Sequence, residues 1–278
     1  MSEHTSVAYQ TDLHQFQDYL LQQFELEDTS SVKHIHIRSW LAQLKEQDIA
    51  ERSLQRKISS LRALFKYLMR LGIVPENPAR QITNPKAPKR LPVYLEEQHT
   101  QKITTEIAYN EGFEGDTERL IVELLYQTGM RRAELVNLRE SDIEFSRKQI
   151  RVLGKRNKER MIPVSEDLLI DIRAYMDEKR KIFNKPDARL LSLKTGKPVY
   201  DQYVYRVITA RLKDITTLKK KSPHVLRHTF ATQLSNNGAE LNAIKELLGH
   251  SSLAATQVYT HNNIERLKEV YRKAHPKS

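Results

Sequence analysis

A cluster of prolines constrains this chain more than any other feature. Gly72-Ile73-Val74-Pro75-Glu76-Asn77-Pro78 is followed by Pro85, Pro88 and Pro92. Proline lacks the N–H that a helix interior needs and stiffens a connection, and Gly72 stands where a helix C′ glycine belongs. The chain is therefore divided. Residues 1–78 predict a small helical domain, 79–93 (ARQITNPKAPKRLPV) a basic linker, and 94–278 a larger domain. Only 8 glycines interrupt 278 residues, and the long stretches read with helical period, so the fold is expected to be mainly α. In the larger domain a helix from Asp116 to Tyr126 is followed by Thr128-Gly129-Met130-Arg131, a turn into a second helix. Ile143–Phe145, Gln149–Leu153 and Arg160–Val164 predict a small antiparallel β-sheet, with 154–159 as a hairpin-like loop. Helical patterns then fill 166–182, 200–212, 222–236, 240–248, 251–259 and 264–273.

Charge points to a partner. The chain has a formal charge of +11 and a pI near 9.6, which favours a polyanion, nucleic acid before an acidic membrane surface. Residues 1–51 hold nine acidic and three basic side chains, whereas 52–90 hold one acidic (Glu76) and ten basic. Three helical patterns fill the first domain: Leu13, Phe16, Leu20 and Phe24; Ile37, Trp40, Leu41 and Leu44; and residues 52–71. On the third, Leu54, Ile58, Leu61, Leu64, Phe65, Leu68 and Leu71 share an arc of about 140°. Arg52, Arg56, Arg62, Lys66 and Arg70 share the opposite side. A face built only for solubility mixes signs and places Glu to support Lys or Arg. This face has no acid, and a row of cations of this kind neutralises a nucleic-acid backbone.

Zero Cys removes disulfides, iron–sulfur clusters, Cys-ligated zinc and thiol catalysis. The first residues, MSEHTSVAYQTDLHQF, lack a basic n-region and an apolar h-region, and no apolar run approaches the ~20 residues that span a bilayer. A cytoplasmic protein with no membrane partner is the expectation.

One segment gathers chemistry. In Ser222-Pro223-His224-Val225-Leu226-Arg227-His228, Ser at N-cap and Pro at N1 start a helix. His224, Arg227 and His228 then share one face of its first turns, where free N–H groups and the positive helix end make an anion site. His224 and His228 at i,i+4 could instead hold zinc, but the adjacent Arg227 opposes a dication. Arg131 taken alone could simply pair with Glu134 at i+3.

The ordered set is more specific than its parts. TGMR at 128–131, a lysine in GKRNKER at 154–160, H-x-x-R-H at 224–228, LLGH at 247–250 and Tyr259 nine residues later resemble the tyrosine site-specific recombinases. The AHPK ending and the length resemble the Xer recombinases, nearer the XerC branch than phage integrases. The resemblance covers nearly the whole chain. It implies an N-terminal helical SAM-like core-binding domain and a C-terminal tyrosine-recombinase catalytic domain, with a C-terminal exchange helix at 264–273. It also implies the catalytic set Arg131, Lys155, His224, Arg227, His250 and Tyr259. Arg131 and Arg227 would hold the non-bridging oxygens of a phosphodiester, and Tyr259 would attack the phosphorus. His224 would accept or share the phenol proton, Lys155 would protonate the leaving 5′ oxygen, and His250 would bond a phosphate oxygen.

Lys155 is one of four basic residues in its loop, beside Arg156, Lys158 and Arg160; it is preferred because it follows Gly154, as in the family's GK. Lys155 and Arg156 join the five cations of 52–70 as expected DNA contacts.

The family likeness further implies a 3′-phosphotyrosyl intermediate, a Holliday junction and no need for metal, ATP or another cofactor. Expected partners are double-stranded DNA with a specific site, a homo- or hetero-tetramer with a related recombinase, and a DNA translocase. The role implied is chromosome dimer resolution at a dif-like site, with an integrase of a mobile element as the alternative. Ile264, Leu267, Val270 and Tyr271 lie at helical spacing and could dock on their own domain or on a neighbour; the likeness favours a neighbouring protomer. Two other classes stay open. A regulator without chemistry would keep the basic helix yet have no use for Tyr259, and a type IB topoisomerase would share the nucleophile but act as a monomer.

Overall fold

The computed structural model describes residues 3–86, 93–105, 107–154, 158–219, 221–249 and 261–276. The chain forms two compact units, Met1–Arg90 and Leu91–Ser278.

The first unit is built from α1 (Glu3–Phe24), α2 (His34–Glu46) and α3 (Glu51–Arg70). The apolar stripe of α3 does what its period predicts: Leu54, Ile58, Leu61 and Phe65 are all buried, each worth roughly 1.5–3 kcal/mol of transfer free energy. They meet Phe16 and Trp40, whose rings are 4.9 Å apart. The stripe stops at Leu71, which is exposed. Gly72 takes a left-handed φ of 71°, and the Ile73 N–H turns back to the Leu68 carbonyl at 3.0 Å, closing the helix as a Schellman motif.

Beside that stripe lies a buried polar cluster that is absent from the sequence expectation. Asp12 is wholly buried and pairs at 2.9 Å with both Lys57 and Arg56. Lys57 also bonds Gln15 and sits 5.3 Å from the Trp40 ring centre.

In the second unit, α4 (Glu97–Thr105) precedes α5 (Phe113–Thr128) and a short α6 (Arg132–Asn137). Strands β1 (Ile143–Glu144), β2 (Gln149–Leu153) and β3 (Glu159–Pro163) pair antiparallel in the order β1-β2-β3. Ile150 faces Ile162, and Val152 faces Arg160. Then come α7 (Glu166–Ile182), α8 (Asp201–Ile215), α9 (Pro223–Asn236), α10 (Leu241–Leu248) and α11 (His261–Ala274).

Helix α5 is the axis of this unit: every residue from Leu120 to Thr128 is buried, and α7, α8 and α9 pack around it. A separate apolar cluster joins Phe230 and Leu234 of α9 to Ile244 and Leu247 of α10 and to Leu267 and Tyr271 of α11. The terminal helix expected to reach a neighbour therefore packs on its own unit here. The reason is visible in its stripe: Leu267, Tyr271 and Ala274 are all buried against surfaces this chain supplies. Helix α4, which carries few apolar residues, is absent from the sequence expectation. The helix expected at 251–259 lies outside the described residues.

Candidate active site

Arg131 is placed by the turn that ends α5. Gly129 takes φ 58°, the left-handed region that side chains resist, and a Cβ there would sit 2.6 Å from Cδ1 of Phe230. Glycine is required twice over. Two residues on, Arg131 occupies the N-cap position of α6. Its N–H donates to Oε2 of Glu134 at 2.6 Å and its Nη1 to Oε1 at 2.8 Å. The ordinary i,i+3 pair is thus present, but it does not exhaust the guanidinium, which is 38% exposed and reaches the Gly249 carbonyl at 3.2 Å.

Arg227 comes from α9, which begins with Ser222 extended at N-cap and Pro223 at N1. The Ser222 hydroxyl makes no cap bond, so proline rather than the serine side chain sets this start. Arg227 is 8% exposed, and its two terminal nitrogens donate at 2.6 Å to the carbonyls of Gly129 and Leu248. Burial, with Arg131 and Arg160 nearby, pulls its pKa down to about 10 against the partial support of Glu134. It remains a cation at neutral pH.

Three arginines meet the end of α10. A helix leaves its last carbonyls without intrahelical donors. Here Arg160 Nε takes Leu247 O at 2.8 Å, Arg227 takes Leu248 O and Arg131 takes Gly249 O. Gly249 itself is left-handed at φ 63°. His250, the next residue, and Tyr259 lie outside the described residues, as do Lys155 and Arg156.

Glu134 is the only carboxylate bonded to these guanidiniums among the described residues. Arg160, 3% exposed, grips it through two bonds of 2.9 and 2.8 Å, and Arg131 shares Oε1 at 2.8 Å. Burial alone would raise the Glu134 carboxyl; the bonds and charge of Arg160, with those of Arg131, outweigh it and hold the group below its ordinary value. Three cations and one anion leave this corner with a net positive charge. Sequence reading leaves Arg160 among the loop cations. The signal that marks it out is its alternation with Ile162, which puts an arginine on the buried face of β3.

His224 and His228 are both exposed on α9, flanking the buried Arg227. Among the described residues no group of three or more His, Asp or Glu could hold a metal ion. In the first unit, the five cations expected on one α3 face divide. Arg52, Lys66 and Arg70 are exposed. Arg56 instead donates to Ala8 O at 3.0 Å and pairs with Asp12, and Arg62 donates to the carbonyls of Ala79 and Ile82. Those two hold their own domain together.

Residues 94–266 match the phage integrase family, and residues 1–72 match the phage integrase N-terminal SAM-like domain. The chain is 39% identical over 279 residues to tyrosine recombinase XerC of Pelobacter propionicus, covering 100% of this chain and 91% of that relative. This chain belongs to the phage integrase family. Within it, the chain is a tyrosine recombinase of Xer type. A second relative, tyrosine recombinase XerC of Listeria innocua, is 35% identical over 280 residues, covering 100% and 93% of the two chains. The fold is that of the XerH site-specific recombinase bound to a palindromic difH substrate, a post-cleavage complex, at a TM-score of 0.76 and 22% identity over 94% of this chain and 77% of that one.

Proposed function

We propose that this recombinase cleaves and rejoins duplex DNA at a specific site through a 3′-phosphotyrosyl link to Tyr259, passing through a Holliday junction. The convergence of Arg131 and Arg227 on the neighbouring carbonyls of Gly249 and Leu248 carries the reading. A phosphodiester attacked by a phenol gains negative charge on its non-bridging oxygens, and preorganised donors lower that barrier. A guanidinium offers five N–H donors and keeps its charge, so each arginine has donors beyond those spent on carbonyls and Glu134.

Tyr259 is the nucleophile, its phenol pKa of ~10 in isolation helped by nearby cations. His224 takes or shares its proton, Lys155 supplies one to the leaving 5′ oxygen, and His250 bonds a phosphate oxygen. The phosphotyrosyl bond conserves the energy of the broken ester, so resealing needs no ATP and no metal. Arg52, Lys66 and Arg70 contact the DNA backbone from α3, and Lys155 and Arg156 do so from their loop. The working form is a tetramer of this chain or of this chain with a related recombinase, assisted by a DNA translocase. The substrate is a dif-like site, and the task is chromosome dimer resolution. The XerC names of the relatives and the difH complex of the XerH structure support that choice.

The test is a nicked suicide duplex library incubated with the full chain. An SDS-resistant adduct that disappears in Tyr259→Phe supports the reading, and sequencing the trapped DNA names the site. An adduct that persists in Tyr259→Phe overturns it.

A further inference from the structure

Arg160 has no part in the proposed mechanism, yet it is the most enclosed of the arginines at the site. Its guanidinium spans both oxygens of Glu134 and the Leu247 carbonyl. Two glycines lie against it. A Cβ on Gly249 would come within 3.1 Å of Arg160 Cδ, and one on Gly154 would come within 3.8 Å of Arg160 Nη1 and 4.0 Å of Glu134 Oε1. Gly154 immediately precedes Lys155, and Gly249 immediately precedes His250. The pair therefore touches the root of every segment that carries a proposed catalytic group, save the start of α9.

Its charge matters as much as its place. Without Arg160, the carboxylate of Glu134 would have Arg131 as its one strong cation, and the two charges would largely cancel. A phosphate arriving there would meet Arg227 and a neutralised pair. With Arg160 present, both oxygens of Glu134 are met by a fork, the strong form of such a contact.

We propose that Arg160 is a positioning residue of this site: by holding both oxygens of Glu134 it releases the charge of Arg131 to a bound phosphate, and it fixes the end of α10 while doing so. The proposal rests on the recombinase reading for its substrate, but its electrostatic core does not depend on Tyr259.

The test has two arms, both on the full chain. In the first, inorganic phosphate is titrated and binding is followed by calorimetry. Arg160→Met leaves two cations facing one carboxylate and should weaken binding about tenfold. Arg160→Met combined with Glu134→Gln leaves two cations facing none, the same excess as the native site, and should return binding to within about threefold. In the second arm, the duplex trapped by Tyr259 is the substrate. Arg160→Met should slow adduct formation about a hundredfold with duplex affinity within about twofold, and the double variant should regain at least about tenfold of that rate. A single variant equal to wild type, or a double variant no better than the single, overturns the proposal, because a merely structural strut would not be rescued by neutralising its partner.

If Arg160→Met lacks a cooperative melt, Arg160→Lys decides. It keeps the charge but cannot span two carboxylate oxygens and a carbonyl, so it should bind phosphate within about threefold of wild type yet react more slowly. A wild-type rate in Arg160→Lys refutes the positioning role. A native protein that forms no Tyr259-dependent adduct fails the recombinase reading, while the phosphate arm still tests Arg160.

Discussion

Replacing Gly129 with alanine should damage the fold and the site by separable amounts. The left-handed backbone, at φ 58°, costs an alanine roughly 1–2 kcal/mol. The new methyl would stand 2.6 Å from Phe230 Cδ1 and 3.1 Å from Leu248 Cδ2, and such overpacking costs about 1–3 kcal/mol more. The sum is about 2–5 kcal/mol, which in a unit of this size lowers Tm by roughly 10 °C. Gly238 is the internal control. It too is left-handed, at φ 83°, but nothing lies within 4 Å of its Cβ position, so Gly238→Ala should carry the backbone cost alone. Calorimetric melts of the two variants measure the difference directly. Adduct formation on trapped duplex should fall further in Gly129→Ala than its folded fraction explains, because the Gly129 carbonyl holds Arg227. Equal melting of the two variants would refute the steric argument.

Phosphate binding should depend on pH through Arg227. A cation whose pKa is pulled down to about 10 is charged below that pH and neutral above it, so titrated phosphate should release as pH rises through about 10, and the inflection should vanish in Arg227→Gln. Strand cleavage should survive excess EDTA, measured as Tyr259-linked adduct with and without magnesium; loss on chelation would count against the two-arginine assignment. Lys179 is fully buried, pairs with Glu140 at 2.9 Å and bonds the carbonyls of Asp187, Arg189 and Leu190. Lys179→Met should therefore cost about 3–5 kcal/mol in denaturant unfolding, with phosphate binding by the folded protein unchanged.

The amino-acid sequence makes this architecture legible unevenly, for physical reasons. Leu54, Ile58, Leu61 and Phe65 announce a buried face because burial repeats with the helix period, and all four are buried. Arg131 and Arg227 are legible because each sits in a compact motif, a glycine turn and a proline-started helix. The rest depends on partners far along the chain. Arg56 and Arg62 read as part of a DNA-facing row until Asp12, Ala79 and Ile82 are brought beside them by folding. Lys57 is the clue to that polar core, since its spacing from Leu54 and Leu61 puts a cation on an apolar stripe, as Asp12 puts an acid ahead of Phe16 and Tyr19. Glu134 and Arg160 are 26 residues apart, and neither the i,i+3 neighbour of Arg131 nor a cation after a basic loop looks unusual on its own. Helix α4 escapes a search for apolar periodicity because its nine residues, EQHTQKITT, contain a single apolar side chain, Ile103.

The arginine-held end of α10 sets a limit on where the proposed nucleophile, Tyr259, could act. With the carbonyls of Leu247, Leu248 and Gly249 each gripped by a different guanidinium, that terminus is a fulcrum. Ten residues from His250 to Tyr259 can stretch no more than about 35 Å from it. The reach of the tyrosine is thus measured from a post made of the same three guanidiniums that gather the positive charge.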